Sequence, residues 1–363
     1  MSNWCGSRLA ALSFNFAISP AFIFHFLAVV TISFSLGGTS RLQSTANASW
    51  SVSIVLPPRL VGGRPATLAV FGADGKLVSG VTVEVSKDQR VVTDTTGRAV
   101  FTAPIAGDVV IAKASGKAAA ALVDPDGPGS GSQTISVTPV ISLKDSFSIC
   151  GGGFRGEADA NRVKINEERA LILAASPQCL IVLPGPKVTP GLAFISVQTG
   201  EARWTAATRV VSLEFEPPQP PLVPKKKSKL VVRADGTEQP LRIMAENQTP
   251  GVLEFARGDP QKLRTSGGAN NFAAIEVQAI RSGDFSFHAR LLPTLDAAIA
   301  ERYLRAALPL APRELQQPLR KLADRLARHP HDAEKVQGEL AQIISATIAG
   351  DLRTLLESAN AAL

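Results

Sequence analysis

Residues 149–156 read ICGGGFRG, and Gly151, Gly153 and Gly156 form a literal G-x-G-x-x-G. In a nucleotide-binding unit this loop follows a strand and opens a helix, whose N-terminus holds the pyrophosphate. The sequence downstream predicts no such helix. Val163 and Ile165 alternate with Arg162, Lys164 and Asn166, Asn166-Glu167-Glu168 reads as a turn, and Leu171 and Leu173 open a second alternating run. Pro177, Pro184, Pro186 and Pro190 then break any long helix. The period is two, so the glycines are expected to end a strand of a sandwich, where positive φ and close backbone approach are useful. No nucleotide or other cofactor is expected.

Upstream, from Ser51, the same period holds. SVSIVLP, ATLAVFG, GVTVEVS, RAVFTAP and DVVIAKA are short runs separated by turn signals at residues 73–76, 87–89 and 95–97. Val81, Val83 and Val85 should face a core, with Thr82 and Glu84 outward. The stretch VVTDTTGRAVFTAP, residues 91–104, resembles the hairpin signature of bacterial immunoglobulin-like domains of invasin-type adhesins and of carboxypeptidase-regulatory-like modules. That resemblance covers residues 50–124 and implies a β-sandwich without catalytic residues. Residues 49–126 are therefore expected to be one sandwich, and 127–134 a Gly/Ser/Pro linker.

Residues 135–200 resemble the IPT/TIG domain, an immunoglobulin-like module. The resemblance rests on Ile149 to Phe154, Val163-Lys164-Ile165-Asn166, Leu180 to Pro184, and Gly191 to Val197. Cys150 inside the first of these, and Asn166 where glycine is usual, depart from the pattern. The family has no common active site, so the resemblance implies interaction or spacing. Residues 201–293 continue in β period and are expected to form a third sandwich. After Pro293 the apolar spacing becomes helical: Leu315, Leu319, Leu322 and Leu326, then a longer stripe from Val336 to Leu355. Residues 294–363 are expected to hold about three helices, with Thr294 able to cap the first and Asp332 the last. The fold class is thus mainly β: tandem immunoglobulin-like β-sandwiches with a C-terminal α-helical region.

The first 48 residues differ from the rest. Arg8 and Arg41 are their only charges, and AFIFHFLAVVTISFSL, residues 21–36, is strongly apolar. Ala46 and Ala48 give the small-x-small pattern of a signal peptidase site, with cleavage expected before Ser49. The alternative is a retained N-terminal membrane anchor. Either way the remainder is exported, to the periplasm, cell surface or medium. Cys5 lies in the leader, so the exported part has Cys150 and Cys179, an even count that favours a disulfide in an oxidising compartment. Two thiols alone complete no zinc site.

Net charge is +7, or +5 once the leader's two arginines are set aside, which is mild for a chain of this length. With one tyrosine and 6% aromatic residues, nucleic acid is not an expected partner. Lys225-Lys226-Lys227 with Lys229 is the one dense basic run. It offers charge to an acidic polysaccharide or to lipid headgroups, but reads more simply as a solvated loop guarding a sheet edge. His329-Pro330-His331 reads as an interhelix loop, and His288 as a solvent-facing strand residue. Thr265-Ser266-Gly267-Gly268 reads as a hairpin loop and not an anion nest. Glu167-Glu168 and Glu254 with Asp259 are carboxylate pairs by type alone. The expected function is binding, adhesion or structural spacing without catalysis, on an envelope protein or polysaccharide. The alternatives are a carbohydrate-binding accessory protein, which would expose aromatics such as Trp204, and a hydrolase with its site in 201–363.

Overall fold

The computed structural model describes residues 52–363 except 87, 106, 127–133, 217, 219–221 and 293–295. The expected cleavage site at Ala46, Ala48 and Ser49 lies outside the described residues.

The first sandwich comprises β1 (Val52–Val55), β2 (Arg59–Val61), β3 (Pro65–Gly72), β4 (Thr82–Ser86), β5 (Gln89–Val92), β6 (Arg98–Thr102), β7 (Val109–Ala114) and β8 (Lys117–Asp124). One sheet holds β1, β3 and β6; the other runs β2-β8-β7-β4-β5. The alternation works as the sequence requires: Val83 and Val85 are buried with Leu68, Val70, Phe101 and Val110 between the sheets. β1 and β2 divide the opening stretch of chain between the two sheets, and β2 runs parallel to β8. That is an immunoglobulin-like plan. The TDTTG signature is not a hairpin, because β5 and β6 belong to opposite sheets. It is an arch held by Asp94, whose Oδ1 accepts from the Thr96 hydroxyl at 2.6 Å and the Thr96 amide at 2.7 Å. The Thr96 hydroxyl bond leads the causes that hold this carboxyl below the usual carboxylate range. Gly97 turns the arch at φ 72°, where a Cβ would lie 2.6 Å from that of Leu77.

The second sandwich repeats the plan with β9 (Ser136–Val137), β10 (Val140–Ser142), β11 (Phe147–Cys150), β12 (Asn161–Ile165), β13 (Glu168–Arg169), β14 (Leu171–Ala175), β15 (Cys179–Leu183), β16 (Gly191–Thr199) and the start of β17 (Ala202–Glu216). Its sheets are β14-β15-β11-β9 and β13-β12-β16-β17, with β10 parallel to β17.

β17 serves two cores. Up to Val210 its even-numbered residues face inward, with Val210 buried in the second core. From Val211 the odd ones do: Val211 and Leu213 are buried in the third core, with Phe215 packed against it. Adjacent residues of a strand point to opposite faces, so the Val210-Val211 pair passes the strand from one core to the next. The expected boundary at 200/201 falls in the β16–β17 turn, ahead of this strand. The third sandwich adds β18 (Lys227–Asp235), β19 (Arg242–Asn247), β20 (Leu253–Phe255), β21 (Gln261–Arg264), β22 (Phe272–Ala279) and β23 (Phe287–Leu291). Its sheets are β17-β18-β22-β20 and β21-β19-β23.

Four helices follow: α1 (Ala297–Ala307), α2 (Arg313–Arg328), α3 (Ala333–Ala346) and α4 (Asp351–Ala362). The stripe expected to be one last helix is α3 and α4, broken at Gly350 with φ 152°. Asp332 precedes α3 but makes no side-chain cap. Asp296 caps α1, its carboxylate accepting from the Ile299 amide at 3.0 Å, and Thr294 lies outside the described residues.

The apolar stripes of the helices do not close only on themselves. Leu304, Leu319, Leu322, Leu355 and Leu356 share one core with Leu122 of β8, against which Val109, Ile111 and Ala120 also pack. The helical region therefore covers the outer face of the first sandwich. Arg302 reaches Asp124 at 2.7 Å, Lys113 reaches Asp351 at 2.6 Å, and the Tyr303 hydroxyl donates to the Ala120 carbonyl at 3.1 Å.

Burial pushes the Tyr303 phenol up to about 12 from its ordinary 10, against a smaller opposing pull from Arg302. Between those values the unfolded chain has lost a proton that the folded chain keeps. The stabilisation from a neutral Tyr303 is thus complete below pH 10 and disappears as pH rises toward 12. Wild-type stability should fall by about 2–3 kcal/mol across that window through this group. Urea titrations of wild type and Tyr303→Phe at pH 9 and 11.5 measure it: the variant should lose that share of the alkaline slope.

Candidate functional site

A cleft of about 680 Å³ opens where the first and second sandwiches meet. Its wall is the glycine loop itself, together with Arg59, Arg64, Asp126, Cys150 and Gln178. β11 delivers the chain to the loop at Cys150, which pairs directly across the ladder with Cys179 of β15. The two form a disulfide with Cα atoms 4.2 Å apart. It joins adjacent strands of one sheet, whereas antibody domains carry a bridge between sheets.

The loop's hydrogen bonds show what it can do. The Gly151 amide donates to Gln178 O at 2.8 Å, Phe154 to Pro177 O at 3.3 Å, and Arg155 to Asn161 Oδ1 at 3.0 Å. After Gly156 comes only the three-residue 3₁₀ turn Ala158–Ala160. The Ala158 amide is bonded to the Thr67 hydroxyl at 3.1 Å. This loop has no helix end aimed at a phosphate, and the amides named are committed within the protein.

Each glycine has its own structural task. Gly153, at φ 86°, lies under Trp204, which packs edge-on against Phe154 with ring centroids 5.4 Å apart. Gly156 is held by space: a Cβ there would stand 1.8 Å from Pro65 O. Its carbonyl accepts from Thr67 Oγ1 at 2.6 Å, and one residue of β14, Ala175, pairs with Thr67 across the seam. Nearby, Arg98 is almost fully buried, bonds Asp159 at 2.8 Å and donates to Ile172 O at 3.3 Å. The glycine loop is where one sandwich is clamped to the next.

The cations of the cleft are largely paired. Arg59 binds Asp124 at 2.8 Å, and Arg64 binds Asp126 at 3.1 Å. Asp124 also takes Arg302, so one partly buried carboxylate of β8 ties β2 to α1.

The other residues singled out by sequence do not converge. His288 is half-exposed and lies 3.2 Å from Asp145, linking third and second sandwiches. His329 and His331 stack edge-on in the α2–α3 connection with ring centroids 5.6 Å apart. Among the described residues no group of three or more metal-ligating side chains forms. Lys225 and Lys226 are exposed in a turn, and Lys227 and Lys229 enter β18. The 265–268 stretch is not a hairpin loop, because β21 and β22 lie in different sheets. Its Gly267 and Gly268 amides donate to Asn271 Oδ1 and Glu238 O. Glu167 bonds Lys164, and Glu254 sits opposite Gln278. Trp204 is half-buried, so it is not an exposed platform.

One surface escaped the sequence reading. Leu192 and Phe194 of β16 are 62% and 59% exposed on the outer face of the second sandwich. The signal was present in GLAFISVQTG, where both parities carry apolar residues although a half-buried strand needs only one.

No protein-family model matches the chain, and no curated protein matches it. Solved structures similar to it include the plexin A4 extracellular region, 12% identical over 70% of this chain and 24% of that one, with a TM-score of 0.25. Domains 4–9 of the surface layer protein SbsC are 10% identical over 68% and 50%, at 0.22. Invasin, a bacterial integrin-binding protein, is 13% identical over 67% and 57%, at 0.18. The chain spans about a quarter of the plexin structure's length. The fold is established by the chain's own sheets and cores: stacked immunoglobulin-like β-sandwiches followed by four helices.

Proposed function

We propose that this chain is an exported, non-catalytic protein of the cell envelope or extracellular space, in which three sandwiches and a helical region act as one rigid binding and spacing unit. One observation carries the reading: the first sandwich packs against both the second sandwich and the helices, and one continuous strand joins the second sandwich to the third. Gly156 and Thr67 clamp first to second, β17 runs unbroken from second to third, and the helices share a core with β8. Arg242–Glu334 at 3.4 Å and Lys262–Gln337 at 2.6 Å tie the third sandwich to the helices. A chain built for flexible display would keep its modules on exposed linkers with few crossing contacts.

The disulfide supports export, since such bonds persist in oxidising compartments. The second sandwich is read as an IPT/TIG-type module, its glycine loop following β11 and its V-x-I hairpin being β12–β13. A cleaved leader ending at Ala48 belongs to the same proposal. Fractionation of cells expressing the full chain tests it. The mature protein should begin at Ser49, outside the cytoplasm, with Cys150 and Cys179 bridged; cytoplasmic protein with intact Met1 and two alkylatable thiols would contradict it.

A further inference from the structure

Beyond the seams, the outer face of β12, β16 and β17 is exposed. Along β12, β16 and β17 the odd and even positions separate cleanly: Val163, Ile165, Ile195 and Val197 enter the second core, and their neighbours face out. The outward residues fall in rows across the sheet. Arg162 stands opposite Gln198, and Gln198 opposite Arg203. In the next row Arg169 is opposite Lys164, Lys164 opposite Ser196, and Ser196 opposite Thr205. Then come Phe194 opposite Ala207, and Leu192 opposite Arg209.

Two independent features of this face point to a ligand. The first is charge. Arg162, Arg169 and Arg203 are exposed and carry no ion pair among the described residues. Arg169 sits directly across from another cation, Lys164, an arrangement that is unfavourable in the empty sheet. The carboxylates at the ends of these strands are Asp159, which bonds Arg98 at 2.8 Å and lines a cleft with Arg162 and Arg169, Glu167, which bonds Lys164 at 3.5 Å, Glu168 of β13, and Glu201 in the β16–β17 turn. Asp235 and Glu238 lie at the opposite end, beside Arg209. The second feature is the exposed Phe194 and Leu192, apolar side chains set beside amide and hydroxyl groups.

From these we infer that the outer face of β12, β16 and β17 binds an acidic polysaccharide. Guanidinium groups pair with uronate carboxylates, Gln198, Ser196 and Thr205 bond ring hydroxyls, and Phe194 covers the apolar face of one sugar ring. The neighbouring third sandwich decides against a flat anionic bilayer. The outward side of β17 up to Arg209 becomes the core side from Val211, so that sandwich rises beside the face, with Arg209 bonded to Gly236 O at 3.2 Å. A single polymer strand fits against such a step and a membrane does not. Arginine clusters also recognise acidic peptides, but the exposed Phe194 beside the Ser196 and Thr205 hydroxyls matches a sugar ring, which has an apolar face and a hydroxylated rim.

The inference rests on the export and binding role proposed above. It is tested on the chain from Ser49 onward, which forms one compact unit, by calorimetric titration with polygalacturonate. Dextran, poly-glutamate and phosphatidylserine vesicles serve as comparators. Polygalacturonate should bind at low salt and weaken as salt rises. Arg162→Gln with Arg203→Gln should weaken it at least tenfold, a loss expected for removed charge-assisted hydrogen bonds. Phe194→Ala should weaken polygalacturonate severalfold and leave any poly-glutamate binding unchanged. These positions are exposed, so the variants should melt within a degree or two of wild type. No binding of polygalacturonate, equal binding of poly-glutamate or vesicles, or insensitivity to both variants would overturn the proposal. The rigid-unit reading would survive each of those results, since it is tested by fractionation and unfolding.

Discussion

Gly156→Ala should cost the folded chain about 3 kcal/mol or more, since the added Cβ makes the closest clash of any at the described glycines. The added Cβ would lie 1.8 Å from Pro65 O and 2.4 Å from Pro65 C, both backbone atoms that no rotamer change can move aside. The two sandwiches must separate to admit it. Separation breaks the Thr67 hydroxyl's bonds to Gly156 O and from the Ala158 amide, and loosens the buried Arg98 that reaches Asp159. Stranding Arg98 compounds the loss, because a buried cation without its partner is strongly unfavourable. Urea unfolding should show a lower midpoint. Gly258→Ala, where no atom lies within 4 Å of the added Cβ and only the φ of 89° opposes it, should cost far less. Equal midpoints for wild type and Gly156→Ala would mean that the seam is open in solution.

Reducing the Cys150–Cys179 disulfide should lower stability by about 3–4 kcal/mol on chain-entropy reasoning for a closed loop of this length. The bridge spans 29 residues of sequence and encloses the glycine loop, β12, β13 and β14. Opening it therefore frees the segment that clamps the first sandwich as well as the second sandwich's own sheet. Cys179 is fully buried while Cys150 borders the cleft, so native protein should resist reductant better than partly unfolded protein. Paired urea titrations with and without reductant, with alkylation to verify thiol state, give the difference. A shift below about 1 kcal/mol would show that the ladder holds this loop without the bond.

Much of this fold is written in local pattern. The 81–85 run places its valines inward, and Pro177 to Pro190 correctly argue against a helix behind the glycine loop. What pattern missed was set by neighbours. β8 is KAAAALVD, and four alanines in a row give no period; alanine favours helix when nothing else decides. Here the run pairs with β7, and its small side chains let α1 and α4 approach the sheet closely. β17 shows the converse: its change of parity at Val210-Val211 is visible in the sequence, but that it joins two cores is a tertiary fact. The helix break at Gly350 was obscured because apolar spacing continues across it. The disulfide was legible from count and compartment. The charged face was not, because Arg162, Arg169 and Arg203 are far apart in sequence and are gathered by strand register alone.

Packed this way, Ser49 to Leu363 should behave as a single mechanical unit. Differential scanning calorimetry of that stretch, with the disulfide intact, tests it most directly. Seams of this kind predict one transition whose van't Hoff enthalpy matches the calorimetric enthalpy. Gly156→Ala should split it, releasing the second and third sandwiches from the first. Three or four separate transitions in the wild-type chain, each with the enthalpy of one module, would contradict the account.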